Sequence, residues 1–376
     1  MGSRTLADLG TLDQPRQVRH CRANQGRESM KSIDTSLRTD SSRKPALESI
    51  RAALRRIGGH VISPGRLAAP VALAVLVSGL GALSGPEAHA SEVTQRSYTN
   101  AAGTRDYYLH VPPGDLAGKP LMIYLHGCTD PEAQLAGNGF ALTRVADELG
   151  FVLAYPIQTR AANERHCWNW FDPANQQRET GEPSIVAGIT TTLIQEFGLD
   201  RDRVYVGGYS AGGGMSTVMA ATYPDLYAAI APMAAGPYGI NPQPPYTDIT
   251  GAGIIEAMGP RARPVPAFFL QDLADQTSLY PIGRANILQW LGADRRAGIR
   301  TLADTPTAVT TTADPVPATI EHYSSQGCEL AQFVTPIGPD HIGGGLLMQS
   351  TSGLALQRRM MEFLLAHRLS SLEGAC

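Results

Sequence analysis

The chain is poor in lysine and in charge generally. Charged residues make up 17% of its 376 residues, and beyond Arg66 the single lysine is Lys119. Thirteen of the 31 Lys and Arg and six of the 34 Asp and Glu fall at or before Arg66, so the rest of the chain carries 18 basic against 28 acidic side chains, a net charge of −10. An acidic body without basic clusters lacks the electrostatic footprint of a nucleic-acid or anionic-membrane binder. No C-x-x-C pair and no histidine cluster with zinc-ligand spacing occurs, so neither a structural metal nor any other metal site is expected. G-x-G-x-x-G is missing, as is a glycine loop with the lysine of a phosphate cradle. No internal repeat is present. Apolar residues, by contrast, make up 43% of the chain, ample for one large α/β domain with a sizeable core.

The charge break coincides with a targeting pattern. Arg51, Arg55, Arg56 and Arg66 precede the apolar stretch from Leu67 to Leu83, which is followed by Gly85, Pro86 and Ala88-His89-Ala90. This reads as an export signal over 51–90 cleaved after Ala90, since the stretch is short for a membrane span and contains Pro70. The polar residues 1–50 lack apolar periodicity and read as disordered or as an extension ahead of the true start. The expected mature chain, 91–376, is a single secreted domain without a membrane anchor, and a monomer. Cysteine use agrees with export: Cys128, Cys167, Cys328 and Cys376 remain after the cleavage point, an even number suited to two disulfides in an oxidising compartment. Four cysteines allow three pairings, and spacing does not choose among them.

From Ser91 onward strand-like and helix-like segments alternate. VTQRSYT and TRDYYLHVP predict an antiparallel entry hairpin turning at Ala101 to Gly103. LMIYLHG, FVLAYPI, RVYVGGYS, AAIAPMA and PAFFLQD are short apolar runs suited to strands covered on both faces. ALTRVADELG, IVAGITTTLIQEFG and GMSTVMAATYP predict helices. The expected fold class is α/β, a mostly parallel sheet with helices on both faces. Segments 237–263 and 301–317 read as surface insertions.

Ser210 ends one of these strands and opens a helix within Gly208-Tyr209-Ser210-Ala211-Gly212, the G-x-S-x-G pattern of a nucleophile elbow. The turn needs neighbours without bulk because strand and helix pass close together, and it lifts the hydroxyl to the carboxyl edge of the sheet. The helix amino terminus and the Ala211 N–H then face any oxyanion formed there. A serine hydroxyl needs a general base held by a carboxylate, and in this architecture the order is Ser, acid, His. Three histidines follow Ser210. His367 lies in a terminal helix and is expected to face solvent, His322 sits inside the strand-like ATIEHYSS, and His341 follows Gly338-Pro339-Asp340 in a loop after a strand. His341 is the predicted base. PAFFLQDLAD offers Asp275 and Asp272 as acids, with Asp275 preferred because it lies in the loop.

Taken together, Leu125-His126-Gly127-Cys128, Cys167-Trp168-Asn169-Trp170-Phe171, Gly181-Glu182, Arg203-Val204-Tyr205 and Gly208 to Met215 resemble the extracellular polyhydroxybutyrate depolymerase and feruloyl esterase family of α/β-hydrolases. The resemblance covers about residues 95–370. It implies that the Cys128 N–H completes an oxyanion hole with Ala211, that Cys128 pairs with Cys167 and Cys328 with Cys376, and that His126 is structural. It also implies that Trp168 and Trp170, with Tyr209, line the ester cleft, and that no cofactor is used. Two departures stand out: Gln271-Asp272 replaces the family's His-Gly before the acid, and His341 is followed by Ile342-Gly343-Gly344 rather than Trp-Pro-Gly. The expected activity is a secreted serine esterase acting on short-chain hydroxyalkanoate polyester or its oligomers. Feruloyl or acetyl esters on plant polysaccharide are the alternative substrates, and a catalytically idle hydrolase fold used for binding is the alternative of another kind. Without a threonine-rich linker and separate binding module after the domain, soluble esters or amorphous oligomers are expected over crystalline polymer.

Overall fold

The computed structural model describes residues 92–128, 141–239, 248–313, 315–348 and 351–372. The leader at 1–50, the export signal at 51–90 and Cys376, with its expected bridge to Cys328, lie outside the described residues.

The entry hairpin forms as expected. Strands β1 (Glu92–Asn100) and β2 (Gly103–Val111) pair antiparallel with Asn100 opposite Gly103. Then come β3 (Leu121–Leu125), α1 (Ala141–Leu149), β4 (Val152–Pro156), α2 (Gly181–Phe197), β5 (Val204–Tyr209), α3 (Ala211–Thr222) and β6 (Ala229–Met233). After these follow α4 (Ala252–Met258), β7 (Ala267–Leu270), α5 (Tyr280–Arg296), β8 (Ala308–Thr312), β9 (Ala318–Ser325), β10 (Cys328–Pro336), α6 (His341–Leu347) and α7 (Leu354–Leu365).

The ten strands form one sheet in the order β1-β2-β4-β3-β5-β6-β7-β10-β9-β8. The central run from β4 to β10 is parallel, and antiparallel pairs close both ends. Every residue of β3, β4, β5, β6 and β7 is buried, which is why these strands read as continuous apolar runs rather than alternating ones. Alternation still decides which core each residue joins. Leu121, Ile123, Leu125, Val204 and Val206 pack beneath α2, α3 and α5, while Met122, Tyr124, Tyr205 and Tyr209 join α1 and α7 on the opposite face. Among the described residues no helix is long and apolar enough to cross a membrane.

Both surface segments carry regular elements, and one local expectation, the placement of His341, is corrected. The segment 301–317 contributes strand β8, whose AVTTT is mostly exposed because it pairs with β9 along one edge and meets solvent elsewhere. The described part of 237–263 contains α4. His341, expected in a loop, is the first residue of the short helix α6, whose amino end is capped by Asp340 accepting from the Gly343 N–H at 2.8 Å.

Candidate active site

The elbow after β5 places Ser210 at φ 56° and ψ −121°, a strained backbone for a residue with a side chain. Two bonds hold it there: Ser210 N–H donates to Met233 O, and Ser210 O accepts from Gly214 N–H, both at 2.9 Å. The crossing is too tight for side chains. A Cβ on Gly208 would lie 2.3 Å from Leu125 O, and one on Gly212 would lie 2.0 Å from the same oxygen. Ala211 begins α3, so its N–H has no carbonyl partner within the helix.

Two later segments, the loop after β7 and the start of α6, converge on this serine at the carboxyl edge of the parallel strands. His341 Nε2 lies 3.0 Å from Ser210 Oγ, and His341 Nδ1 lies 2.7 Å from Asp275 Oδ2. The Asp275 side chain is fully buried while His341 stays 17% exposed. Asp275 Oδ1 accepts the N–H groups of Thr277 and Ser278, each at 2.7 Å. With these donors on the acid, Nδ1 carries the proton toward Asp275 and Nε2 is left to accept from Ser210. Gln271, at the departure from the family pattern, braces the same loop by donating to Ser278 O at 2.6 Å.

Asp272 meets a different partner. Its Oδ2 lies 2.7 Å from Tyr209 Oη, and Tyr209 Oη also lies 2.9 Å from His341 O. Burial, opposed by the Tyr209 hydrogen bond and reinforced by the charge of Asp275, pushes the Asp272 carboxyl up to about 7. Burial likewise pushes the Tyr209 phenol far above its ordinary range.

Cys128 and Cys167 form a disulfide. The loop it joins is tied down by Glu182 near the start of α2, a buried carboxylate that accepts from Asn169 N at 2.8 Å and Asn169 Nδ2 at 2.7 Å. Gln158 Nε2 also donates to Glu182, and Arg105 of β2 stands 3.4 Å away as its ionic partner. His126 joins the ends of β3 and β4: its Nε2 accepts from Gln158 N–H at 2.9 Å, so Nδ1 is the nitrogen that donates to Gly127 O at 2.7 Å.

Several predicted site residues fall elsewhere. Trp168 is fully buried with its ring against His126, so it belongs to the core and not to a cleft wall. Tyr209 is 3% exposed and points beneath α6, because the alternation of β5 sends it to the face opposite Val206. Trp170, 8% exposed, lies across Gly214 and Gly236, while its neighbour Phe171 is 48% exposed. His367 is half-buried, with both ring nitrogens engaged: they contact Phe363 O and Glu329 O at 2.8 Å, because the chain after α7 folds back on β10. His322 is occupied by Thr310 and Glu329 at the antiparallel end of the sheet. Arg105 was not singled out in the sequence. Its signal was its place on the buried face of β2, where a charge requires a partner.

A strained serine between a parallel strand and a helix, with an acid and a histidine delivered from the loops after later strands, defines the α/β-hydrolase class. The acetyl xylan esterase from Aspergillus awamori has the same fold, with a TM-score of 0.54 and 22% identity over 70% of this chain and 99% of that one. Residues 105–268 match the family described as Esterase PHB depolymerase, the family that the motifs resemble. Poly(3-hydroxyalkanoate) depolymerase C of Paucimonas lemoignei is 38% identical over 172 residues, 46% of this chain and 39% of the relative. Poly(3-hydroxybutyrate) depolymerase of Ralstonia pickettii is 30% identical over 207 residues, 52% and 39% of the two chains. Feruloyl esterase B of Neurospora crassa is 39% identical over 126 residues, 32% and 41%. The chain thus spans about two fifths of the length of these curated relatives.

Proposed function

We propose that this chain is a secreted serine esterase that cleaves short-chain hydroxyalkanoate polyester or its oligomers through an acyl-enzyme. The observation that carries this reading is the continuous hydrogen-bonded line Ser210 Oγ, His341 Nε2, His341 Nδ1, Asp275 Oδ2, with steps of 3.0 and 2.7 Å. Ser210 attacks the ester carbonyl as His341 takes its proton, and the imidazolium is held by Asp275. His341 returns the proton to the leaving alcohol, then activates water to release the acid. The N–H groups of Ala211 and Cys128 stabilise the tetrahedral oxyanion, worth about 3 kcal/mol per donor. A binding protein that had lost catalysis would lack a member of this line.

The depolymerase names carried by two relatives support the hydroxyalkanoate substrate. The feruloyl esterase and acetyl xylan esterase likenesses keep plant polysaccharide esters as the second reading. Initial rates on hydroxybutyrate oligomers, polyhydroxybutyrate film, methyl ferulate and acetylated xylan separate the two. Oligomers should be fastest, and Ser210→Ala should abolish every rate together with labelling by an active-site phosphonate. A dominant rate on methyl ferulate or acetylated xylan moves the substrate to the second reading. Export is proposed with cleavage after Ala90, so amino-terminal sequencing of the exported protein should begin at Ser91, and finding residues 1–60 attached would refute it.

A further inference from the structure

Behind the base, three oxygens meet around one phenol proton. Tyr209 Oη is 2.7 Å from Asp272 Oδ2 and 2.9 Å from His341 O, yet a phenol O–H donates to one acceptor at a time. With Asp272 ionised, the proton goes to the carboxylate and the His341 carbonyl faces a phenol oxygen that has nothing to give it. With Asp272 protonated, its O–H donates to Tyr209 Oη and the Tyr209 O–H donates onward to His341 O, so both short contacts become hydrogen bonds. The second oxygen, Asp272 Oδ1, is buried without a hydrogen-bond partner. The carbonyl oxygen of a neutral acid tolerates that better than a carboxylate oxygen does.

The surroundings favour the same proton state. The titratable groups facing Asp272 are Tyr209 from β5, Asp275 from its own loop and His341 from α6, with Tyr124 of β3 behind Tyr209. Among the described residues no lysine or arginine faces it; burial and Asp275 favour the neutral acid, while Tyr209 and His341 act against it. The approach of α6 also requires bare backbone: a Cβ on Gly344 would lie 2.1 Å from Asp272 Oδ2 and 2.5 Å from Tyr209 Oη. Gly345 presses on the edge of the Tyr209 ring, where a Cβ would lie 3.2 Å from Cε1.

We propose that a neutral Asp272 and Tyr209 form a relay, Asp272 O–H to Tyr209 O–H to His341 O, that seats the turn carrying the base, making both of them positioning residues. This rests on the reading of Ser210 and His341 given above. Ionisation of Asp272 turns the Tyr209 proton back toward the carboxylate and releases the carbonyl, so turnover falls in that direction while substrate binding is unchanged.

Two measurements test it. In a carbon-13 titration of the carboxyl groups, Asp272 should stay neutral until near-neutral pH, and ionisation in the ordinary carboxylate range overturns the relay whether or not the protein hydrolyses any ester. The second measurement is kcat and KM on p-nitrophenyl butyrate against pH. Asp272→Asn keeps an N–H donor toward Tyr209 at every pH, so kcat near pH 6 should stay within about twofold of the wild type and the alkaline decline should vanish. Tyr209→Phe should lower kcat about tenfold with KM changed less than about twofold. An Asp272→Asn profile that declines as the wild type does, or an unchanged kcat in Tyr209→Phe, overturns the relay. Absence of Ser210-dependent turnover in the wild type strikes the esterase reading instead, and the carbon titration then still decides the proton on Asp272.

Discussion

Asp272 and Asp275 are three residues apart on one short loop and carry the same functional group, yet their oxygens face different partners. Asp275 takes two backbone N–H groups on one oxygen and His341 on the other. Asp275→Asn would keep the first pair, because the amide oxygen still accepts them. Its NH2 group would then face His341 Nδ1 and force the proton onto Nε2, the nitrogen that accepts from Ser210 in the proposed mechanism. Turnover should therefore fall on the order of 10³ to 10⁴-fold with little change in melting temperature, measured as kcat beside a thermal scan. A loss no greater than that of Asp272→Asn would transfer the acid to Asp272. PAFFLQDLAD narrowed the acid to these two. Which of them meets the base depends on the turn Asp272 O to Asp275 N–H and on the brace from Gln271, neither of which has a local pattern.

The disulfide loop and α6 show how separately built elements meet at one serine. The Cys128 to Cys167 bridge spans 39 positions, so chain entropy alone makes it worth about 4 kcal/mol before any native-state cost. It also fixes the backbone at Cys128, while Gly127 lies close enough to the elbow that a Cβ there would be 3.3 Å from the Ser210 Cβ. With the Cys128 N–H as the proposed oxyanion donor, reduction should lower kcat before the far-ultraviolet circular dichroism signal is lost, since a displacement of about 1 Å in a donor can cost on the order of 100-fold. Loss of both signals together would make the bridge a purely structural tether. The helix α6 was not legible: HIGGGLL has three glycines, each costing about 1 kcal/mol against alanine in a helix interior. The element forms because Asp340 caps it and because those glycines let it lie on Tyr209 and Asp272, a tertiary fit that overrides propensity.

Among the described residues, buried carboxylates bear on the pH response of stability. Burial pushes Asp294 of α5 up to about 8 and Asp272 up to about 7, although Asp294 accepts from Val265 N–H at 2.9 Å. Both folded-state values lie above that of an unfolded aspartate near 4, so the folded chain keeps protons that the unfolded chain releases. Their contribution is therefore full below about pH 4, falls as pH rises toward 7 and 8, and is level above. Asp200, Asp202 and Asp248 act in the opposite sense. Burial at these sites is outweighed by hydrogen bonds, from Arg203, Ser370 and Gly253 among others, and the stability they add is lost as pH falls below about 4. Burial holds His367 below its ordinary value and opposes this trend up to about pH 6.5, so the melting temperature should decline from about pH 7 to mildly alkaline pH, and Asp294→Asn should flatten that decline. Calorimetry that finds the same slope in the variant would remove Asp294 from the account.

The sequence by itself determined the α/β class, the strands covered on both faces, the entry hairpin and the elbow at Ser210, because each rests on residues adjacent in the chain: apolar runs, turn residues and glycines at a crossing. It also brought His341 and the pair Asp272 and Asp275 forward as candidates, since chain order limits what a later loop can deliver to the sheet edge. Tertiary structure alone decided the rest. Tyr209 points into one core because side-chain direction follows strand alternation within a particular sheet order, and Trp168 into the other because its loop packs the ring against His126. Glu182 and Arg105 meet as a buried pair from elements 77 positions apart. Tyr209 Oη lies within hydrogen-bond distance of both Asp272 Oδ2 and His341 O because β5, the loop after β7 and α6 converge on one point. Sequence lists the donors and acceptors of such a cluster, but the packing of three distant segments fixes which oxygen each proton reaches.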